Sequence, residues 1–149
     1  MQMALRLAVE AADEGEVPVG AVIVHDERVV GTGRNRRELG KNALAHAEIE
    51  AINMACATLG GWRLTGCTLY VTLEPCPMCA GAIINARIDR LVQGTADPKA
   101  GSCGSVVDLF SLPYNHRPEV VSGVLEPECK AMLQDFFRKI RLRRKAVEE

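Results

Sequence analysis

The segments that decide the fold are HAE at residues 46–48 and EPCPMC at residues 74–79. Cys76 and Cys79 are three residues apart, so their side chains share one face if the segment is helical. A proline fits only the first turn of a helix, so Pro77 indicates that a helix begins here. The N-terminus of a helix lowers the pKa of a thiol, which favours the thiolate that binds metal ions.

The two segments together supply the ligand set of a catalytic zinc site. Zinc prefers imidazole nitrogen and thiolate sulfur, here from His46, Cys76 and Cys79, and a catalytic site leaves its fourth position to water. Glu48 follows His46 by two residues and therefore points away from it on a helix, which leaves its carboxylate free for proton transfer. His-x-Glu followed by Pro-Cys-x-x-Cys is the signature of zinc-dependent deaminases.

Three other interpretations of the two segments stay open on the sequence alone. A fourth protein ligand would close the metal site and make it structural; the candidates are Cys67, Cys103, His25 and His116. The signature does not identify the substrate, because a deaminase of a free base, nucleoside or nucleotide, of the guanine or cytosine type, would have the same zinc ligands and the same glutamate. A redox C-x-x-C pair fits least well, because it gives the HAE segment no role.

The composition predicts one domain over residues 1–149, with a core of ordinary size. A hydrophobic content of 48% and a charged content of 25% are typical of a soluble globular protein. The net charge of −1 means that any surface for a polyanion must be local. The six cysteines lack the spacing of a disulfide framework, so we expect a reducing, cytoplasmic location. No signal peptide or membrane-spanning run is present, and we expect no membrane partner.

Hydrophobic periodicity predicts helices alternating with short strands. The predicted helices cover residues 1–14, 45–59, 76–86 and 127–145, with a helical turn at 106–110, and the predicted strands cover residues 19–24, 28–33, 68–72, 91–94 and 119–123. This order implies an α/β fold, a mixed sheet with helices on both faces. Both metal-binding segments then lie at helix N-termini beside strand ends, where α/β sheets bind ligands.

The chain resembles the bacterial tRNA adenosine deaminases over nearly its whole length. The segments that carry the resemblance are VPVGA at 17–21, NR at 35–36, AHAE at 45–48, LYVTLEPC at 69–76, MCAGA at 78–82, NHR at 115–117 and DFFR at 135–138. The metal-binding segments alone indicate only the wider deaminase superfamily. The other segments indicate this branch.

The resemblance implies a cytidine-deaminase-like fold, a three-layer α/β/α sandwich with a mixed five-stranded sheet, and a homodimer. It implies one Zn²⁺ per chain, bound by His46, Cys76 and Cys79, and no organic cofactor. The implied reaction is hydrolytic deamination of the wobble adenosine of a tRNA anticodon to inosine. In it, zinc-bound hydroxide attacks C6 and Glu48 shuttles the protons.

The resemblance also implies four substrate-binding residues, Asn35, Asp97, Asn115 and Phe137, of which Asn35 matches a base-contacting position. Each has a simpler structural interpretation: the three polar residues could cap loops or turns, and Phe137 could belong to the core. We interpret His116 as structural.

Charge gives weak support to an RNA partner, the tRNA anticodon arm. Residues 138–145 hold six basic side chains and no acidic one, and Arg34, Arg36, Arg37 and Lys41 gather in the loop before HAE. Such runs are commonly solvated faces, but near the mouth of a site they would hold phosphates and set the register of the RNA.

Overall fold

Five strands and four α-helices form the structure, a computed structural model that describes residues 1–149. In chain order the elements are α1 (Gln2–Asp13), β1 (Gly20–His25), β2 (Arg28–Arg34), α2 (Ala47–Leu59), β3 (Cys67–Leu73), α3 (Pro77–Ala86), β4 (Arg90–Thr95), a 3₁₀ turn (Leu109–Ser111), β5 (Glu119–Ser122) and α4 (Glu126–Glu148). The strands lie in the order β2-β1-β3-β4-β5. β1 is antiparallel to β2 and β3, whereas β4 is parallel to β3 and β5. The predicted mixed five-stranded sheet is therefore confirmed.

Helices cover both faces of the sheet, which confirms the predicted three-layer sandwich. On one face, α2 and α3 enclose the aliphatic core, which includes Ile23, Leu69 and Ile83. On the other face, α1 packs against β1, α4 packs against β4, and the two helices contact each other. The core is largely aliphatic, in keeping with the aromatic content of only 4%.

Close packing of β2 against α2 places the start of that helix. A Cβ atom on Gly33, near the end of β2, would lie 2.1 Å from the carbonyl oxygen of Ala47, the first residue of α2. Only glycine permits this approach. Since α3 begins just after the end of β3, the N-termini of both helices lie at the carboxyl ends of strands, as the sequence predicts.

The buried face of α1 differs from its predicted face. The apolar positions Leu5, Ala8, Val9 and Ala12 recur at helical spacing and predict one buried face, but the buried residues are Ala4, Ala8 and Ala11, and Val9 is 46% exposed. The reason is the close approach of β1, since a Cβ atom on Gly20 would meet the carbonyl oxygen of Ala4 at 2.0 Å. Only a face of small side chains fits there.

The C-terminal helix α4 is longer than the sequence predicted. It runs from Glu126 to Glu148, and all residues from 141 onwards are exposed. Its only fully buried residue is Cys129, near its beginning. None of the helices combines the length and the hydropathy needed to cross a membrane.

Candidate active site

The three predicted metal ligands converge, although they come from two separate helices. The Nδ1 atom of His46 lies 3.5 Å from the Sγ atom of Cys76 and 3.5 Å from that of Cys79. All three ligand atoms lie within 4.8 Å of one another. Tetrahedral zinc with its usual bond lengths separates a nitrogen and a sulfur ligand by about 3.5 Å. The donor set and its geometry therefore both fit zinc.

Two of these ligands occupy helix N-cap positions. The sequence predicted His46 and Cys76 inside the first helical turns, but both have extended backbone conformations, and the helices begin one residue later. An N-cap side chain commonly accepts a hydrogen bond from its own helix, which contributes about 1 kcal/mol. Neither residue does so. Both side chains turn instead to the shared site, so a small loss of stability accompanies the ligand set.

The thiol pair carries negative charge before any metal binds. A hydrogen bond from Cys79 lowers the pKa of Cys76 to about 4, and His46 adds to this effect. The same hydrogen bond, together with burial, raises the pKa of Cys79. The hydrogen bond to Cys76 raises the pKa of His46. The lowered pKa of Cys76 favours its thiolate form, which suits the binding of a metal cation.

The candidates for a fourth protein ligand do not join the group, which contains only the three predicted ligands. Cys67 and Cys103 are buried in the hydrophobic core. The Nε2–H of His116 donates to the carbonyl oxygen of Ile88 at 2.7 Å, which confirms the structural interpretation of this histidine. None of the four candidates therefore supplies a further ligand to the group.

Glu48 lies in the first turn of α2 and is only 4% exposed. Its side chain lines the cavity that holds the ligand group. Burial raises the pKa of this carboxyl above its usual range. A carboxyl with a raised pKa accepts and returns protons near neutral pH more readily than an ordinary one. The position and the environment of Glu48 both suit proton transfer.

The cavity in front of the ligand group has a volume of about 160 Å³. Its lining residues are Val17, Val19, Asn35, Arg37, His46, Ala47, Glu48, Leu73, Glu74, Cys76, Asp97 and Ala100. The lining combines apolar side chains with a few polar groups, which is typical of a small-ligand site.

Asn35 and Asp97 lie on opposite loops of this cavity, and both also stabilise their own loops. The Nδ2 group of Asn35 donates to the carbonyl of Val17 at 3.3 Å, and its Oδ1 atom accepts from the N–H of Arg37. The Oδ1 atom of Asp97 accepts from the N–H of Lys99 at 3.0 Å. The loop-capping interpretation is thus correct for both residues. Each amide or carboxylate still has hydrogen-bonding capacity to spare.

The other two predicted substrate-binding residues lie outside the cavity lining. Asn115 is exposed on the loop before β5. Phe137 is 43% exposed on α4, so it does not belong to the core. It lines a separate cavity of about 400 Å³ together with Lys99, Lys130 and Arg141. The RNA roles of Asn115 and Phe137 stay predictions.

Two residues of the cavity region escaped the sequence analysis. Glu16 and Glu74 are buried and accept hydrogen bonds from the backbones of the two loops beside the cavity. Glu74 stands directly before Pro75 and Cys76, so its place beside the cysteine segment was a usable signal. Glu16 gave no comparable signal, because a glutamate between a helix and a strand is ordinarily solvated.

The structure reassigns one member of the predicted basic loop. Arg34 ends β2 and donates to both carboxylate oxygens of Glu14, with a further ion pair to Glu10 at 3.5 Å. Its placement in the loop was therefore wrong, since it belongs to β2 and pairs with carboxylates of α1, and its contact with RNA stays a prediction. Arg36 and Arg37 are exposed and make no ion pair.

Comparison with known proteins places this architecture in one family. A family model described as MafB19-like deaminase matches residues 1–141. The tRNA-specific adenosine deaminase of Bacillus subtilis (strain 168) is 48% identical over 150 residues, which cover 100% of this chain and 93% of the relative. A solved structure from a study of A-to-I editing by tRNA:A34 deaminases at the wobble position is 50% identical, with a TM-score of 0.87 over 89% of this chain and 97% of that chain.

A guanine deaminase provides a more distant comparison. The solved guanine deaminase of Bacillus subtilis is 33% identical, with a TM-score of 0.63 over 92% of this chain and 90% of that chain. The shared fold therefore extends to enzymes that act on a free base. Identity and structural similarity are both higher to the proteins named for tRNA.

Proposed function

The chain belongs to the tRNA-specific adenosine deaminases, and from this membership we propose that it converts the wobble adenosine of a tRNA anticodon to inosine by hydrolytic deamination. The observation that carries the proposal is the convergence of His46, Cys76 and Cys79 beside a cavity that the buried Glu48 also lines. A single unpaired base is a suitable occupant, because a wobble adenosine in an anticodon loop has no duplex to leave.

The proposed cofactor is one Zn²⁺ per chain, held by His46, Cys76 and Cys79. The matching nitrogen–sulfur distances and the pre-existing thiolate support zinc over harder cations, which prefer oxygen ligands. When bound, zinc supplies the acidified water that hydrolysis needs. The three protein ligands hold two negative charges at most, so they balance the charge of the ion.

Glu48 is the proposed proton carrier. Its carboxylate takes up the two protons of the attacking water in turn and passes one to the ring nitrogen and one to the leaving amine, so that ammonia departs and inosine remains. Burial supports this role in two ways: it raises the pKa of the carboxyl, and it keeps bulk water from competing for the proton.

Asn35 and Asp97 are the proposed base-contacting residues of the cavity. Their internal hydrogen bonds fix their orientation and leave one amide hydrogen and several oxygen lone pairs unused. Fixed polar groups discriminate between bases better than mobile ones, because little ordering is needed on binding. They are suited to the edge of a purine.

The RNA backbone is proposed to lie across the mouth of this cavity and along α4. The separate cavity lined by Lys99, Lys130, Arg141 and Phe137 offers three cations beside an exposed aromatic ring. Cations bind phosphate and an aromatic ring stacks on an unpaired base, which is the combination that single-stranded RNA requires. Asn115 is proposed as a further contact beyond the cavity.

A homodimer is the proposed assembly. Val106, Val107, Leu112 and Tyr114 are exposed around the 3₁₀ turn, which packs against α3. On α3 itself, a Cβ atom on Gly81 would find no atom within 4 Å. A second copy of the chain would cover these exposed apolar side chains.

An anticodon stem-loop with adenosine at the wobble position tests the function. The zinc-loaded protein should convert it to inosine, detected by mass spectrometry of the digested RNA. Free adenosine and free guanine, at the same concentration, serve as controls and should be converted far more slowly. Faster conversion of either free compound would contradict the tRNA assignment and favour the free-base alternative.

A further inference from the structure

Two carboxylates are buried beside the cavity without any cationic partner. Glu16 is 1% exposed and Glu74 is 3% exposed, and neither takes part in an ion pair. A buried carboxylate is costly unless hydrogen bonds compensate for the lost water. In both cases the compensating donors are backbone N–H groups of a loop that forms one wall of the cavity.

Glu74 holds the loop between β4 and the 3₁₀ turn. Its Oε1 atom accepts from the N–H of Asp97 at 3.1 Å, and its Oε2 atom accepts from the N–H groups of Cys103 at 3.1 Å and Ser105 at 3.0 Å. The hydroxyl of Ser105 also donates to Oε1. A Cβ atom on Gly101 would lie 2.4 Å from this carboxylate. The loop therefore wraps closely around Glu74, and the carboxylate has its donors already.

Glu16 holds the opposite loop in the same way. Its Oε1 atom accepts from the N–H of Glu38 at 3.0 Å, and its Oε2 atom accepts from the N–H of Leu39 at 2.9 Å. This loop carries Asn35 and Arg37 into the cavity and leads to His46. Each wall of the cavity thus depends on one buried carboxylate.

We propose that Glu16 and Glu74 are positioning residues. Their hydrogen bonds to the backbone, here called clips, hold the two loops of the cavity in place so that Asn35 and Asp97 meet the substrate base in one fixed arrangement. The inference rests on the proposed function for the identity of that base. Two clipped loops need little ordering when RNA binds, so the clips act on the affinity for the substrate more than on the chemical step.

Replacement of each carboxylate by its amide tests the clips. Glu16→Gln and Glu74→Gln keep the side-chain shape but turn an NH₂ group toward a backbone N–H that needs an acceptor. Glu38→Gln is the matched control: it makes the same change on one of the two loops, at an exposed side chain without a hydrogen bond. All three proteins are compared as zinc-loaded full-length chains.

Hydrogen exchange shows whether each clip acts on its own loop. In Glu74→Gln the amides of Asp97, Cys103 and Ser105 should exchange faster than in the parent, and in Glu16→Gln those of Glu38 and Leu39 should do so. The opposite loop should be unchanged in each variant, and Glu38→Gln should match the parent. Parental exchange in both loops of both variants would overturn the proposal, whatever the enzyme's substrate is.

Kinetics on the stem-loop separate positioning from a general loss of folded protein. In Glu16→Gln and Glu74→Gln the loop loses hydrogen bonds to a charged group and must be ordered when RNA binds. We therefore expect KM to rise by about tenfold or more, with kcat nearly unchanged. A merely structural role would instead lower the active fraction, which reduces kcat at constant KM and would contradict the proposal. A parent protein that leaves the stem-loop unconverted would refute the proposed function, while the exchange pattern would still decide on the clips.

Ser105→Ala provides the second variant, in case the amide replacements fold poorly. It removes one donor from Glu74 and keeps the carboxylate with its three backbone donors. We expect the backbone amides next to Ser105 to exchange hydrogen faster than in the parent, and KM to rise less than in Glu74→Gln. Parental exchange together with a parental KM would count against the clip.

Discussion

The floor of the catalytic cavity, which comprises His46, Glu48, Cys76 and Cys79, differs from the distal half of α4 in burial, in spacing and in charge. On the floor, Cys79 and Glu48 are buried, and the ligand atoms lie within 4.8 Å of one another. On α4, all residues from 141 onwards are exposed, and of the six basic side chains at 138–145 only Arg138 has an acidic partner. Chemistry requires particular residue types at fixed distances, whereas phosphate binding requires only charge in roughly the right place.

We therefore expect substitutions on the floor to abolish turnover, whereas substitutions on α4 should weaken the affinity for RNA gradually. Three sets of substitutions in these two regions test the contrast, and a fourth substitution, with the smallest expected effect on activity, tests the assembly.

Removal of a metal ligand should have the largest effect. Cys76→Ala leaves two ligands, so we expect both zinc and deaminase activity to be lost, measured by elemental analysis and by inosine formation. Cys56→Ala is the control, because this cysteine lies outside the ligand group and should change neither. A variant that keeps its activity without zinc would refute the metal-dependent account of the floor.

Glu48→Ala should keep the metal and lose the reaction. General acid–base catalysis contributes on the order of 10²–10⁴ to a rate, so we expect single-turnover inosine formation to fall by at least that factor. Glu50→Ala, on the same helix but outside the cavity lining, should react at nearly the parental rate. Near-parental turnover by a zinc-loaded Glu48→Ala protein would assign the proton transfer to another group.

Charge reversal on α4 should weaken RNA binding by degrees and spare the metal. Replacement of Arg141, Arg143 and Arg144 by Glu removes phosphate contacts, so the affinity for the stem-loop should fall and depend less steeply on salt. The matched control reverses three exposed arginines elsewhere, Arg6, Arg28 and Arg90. Equal losses in the two triple variants would mean that only the net charge matters and that α4 is a solvated face.

The assembly should respond to a substitution that leaves both regions intact. We expect the parent to have the mass of two chains at micromolar concentration, and Gly81→Arg to shift it toward one chain while zinc stays bound. Gly61→Arg is the control, since that glycine is equally open but lies beyond the end of α2. A monomeric parent would contradict the homodimer.

The same contrast explains what could be predicted from the sequence. The three metal-binding residues His46, Cys76 and Cys79 could be recognised from the sequence. Each position requires one residue type, and two of the three lie within one short segment. The end of α2 at Gly60, in a left-handed conformation, was likewise predictable from local preference. Such signals are local, and in this chain they give the bounds of α2, α3 and the five strands to within two residues.

Features that depend on distant partners escaped prediction. Arg34 belongs to a basic run in the sequence, but Glu14 on α1 holds it in the fold. Val9 fits the apolar period of α1, but Gly20 on β1 selects the alanine face instead. Glu16 looks like an ordinary polar residue, and only the fold of the loop before α2 shows that its carboxylate is a buried acceptor.

The most direct test of the central claim maps the product in an intact tRNA. The zinc-loaded protein is incubated with a transcript that carries adenosine at the wobble position and at other positions of the anticodon loop, and inosine is then located by sequencing and mass spectrometry. We expect inosine at the wobble position alone, with none formed by the Glu48→Ala protein. Inosine spread over several loop adenosines, or equal conversion by the Glu48→Ala protein, would contradict it.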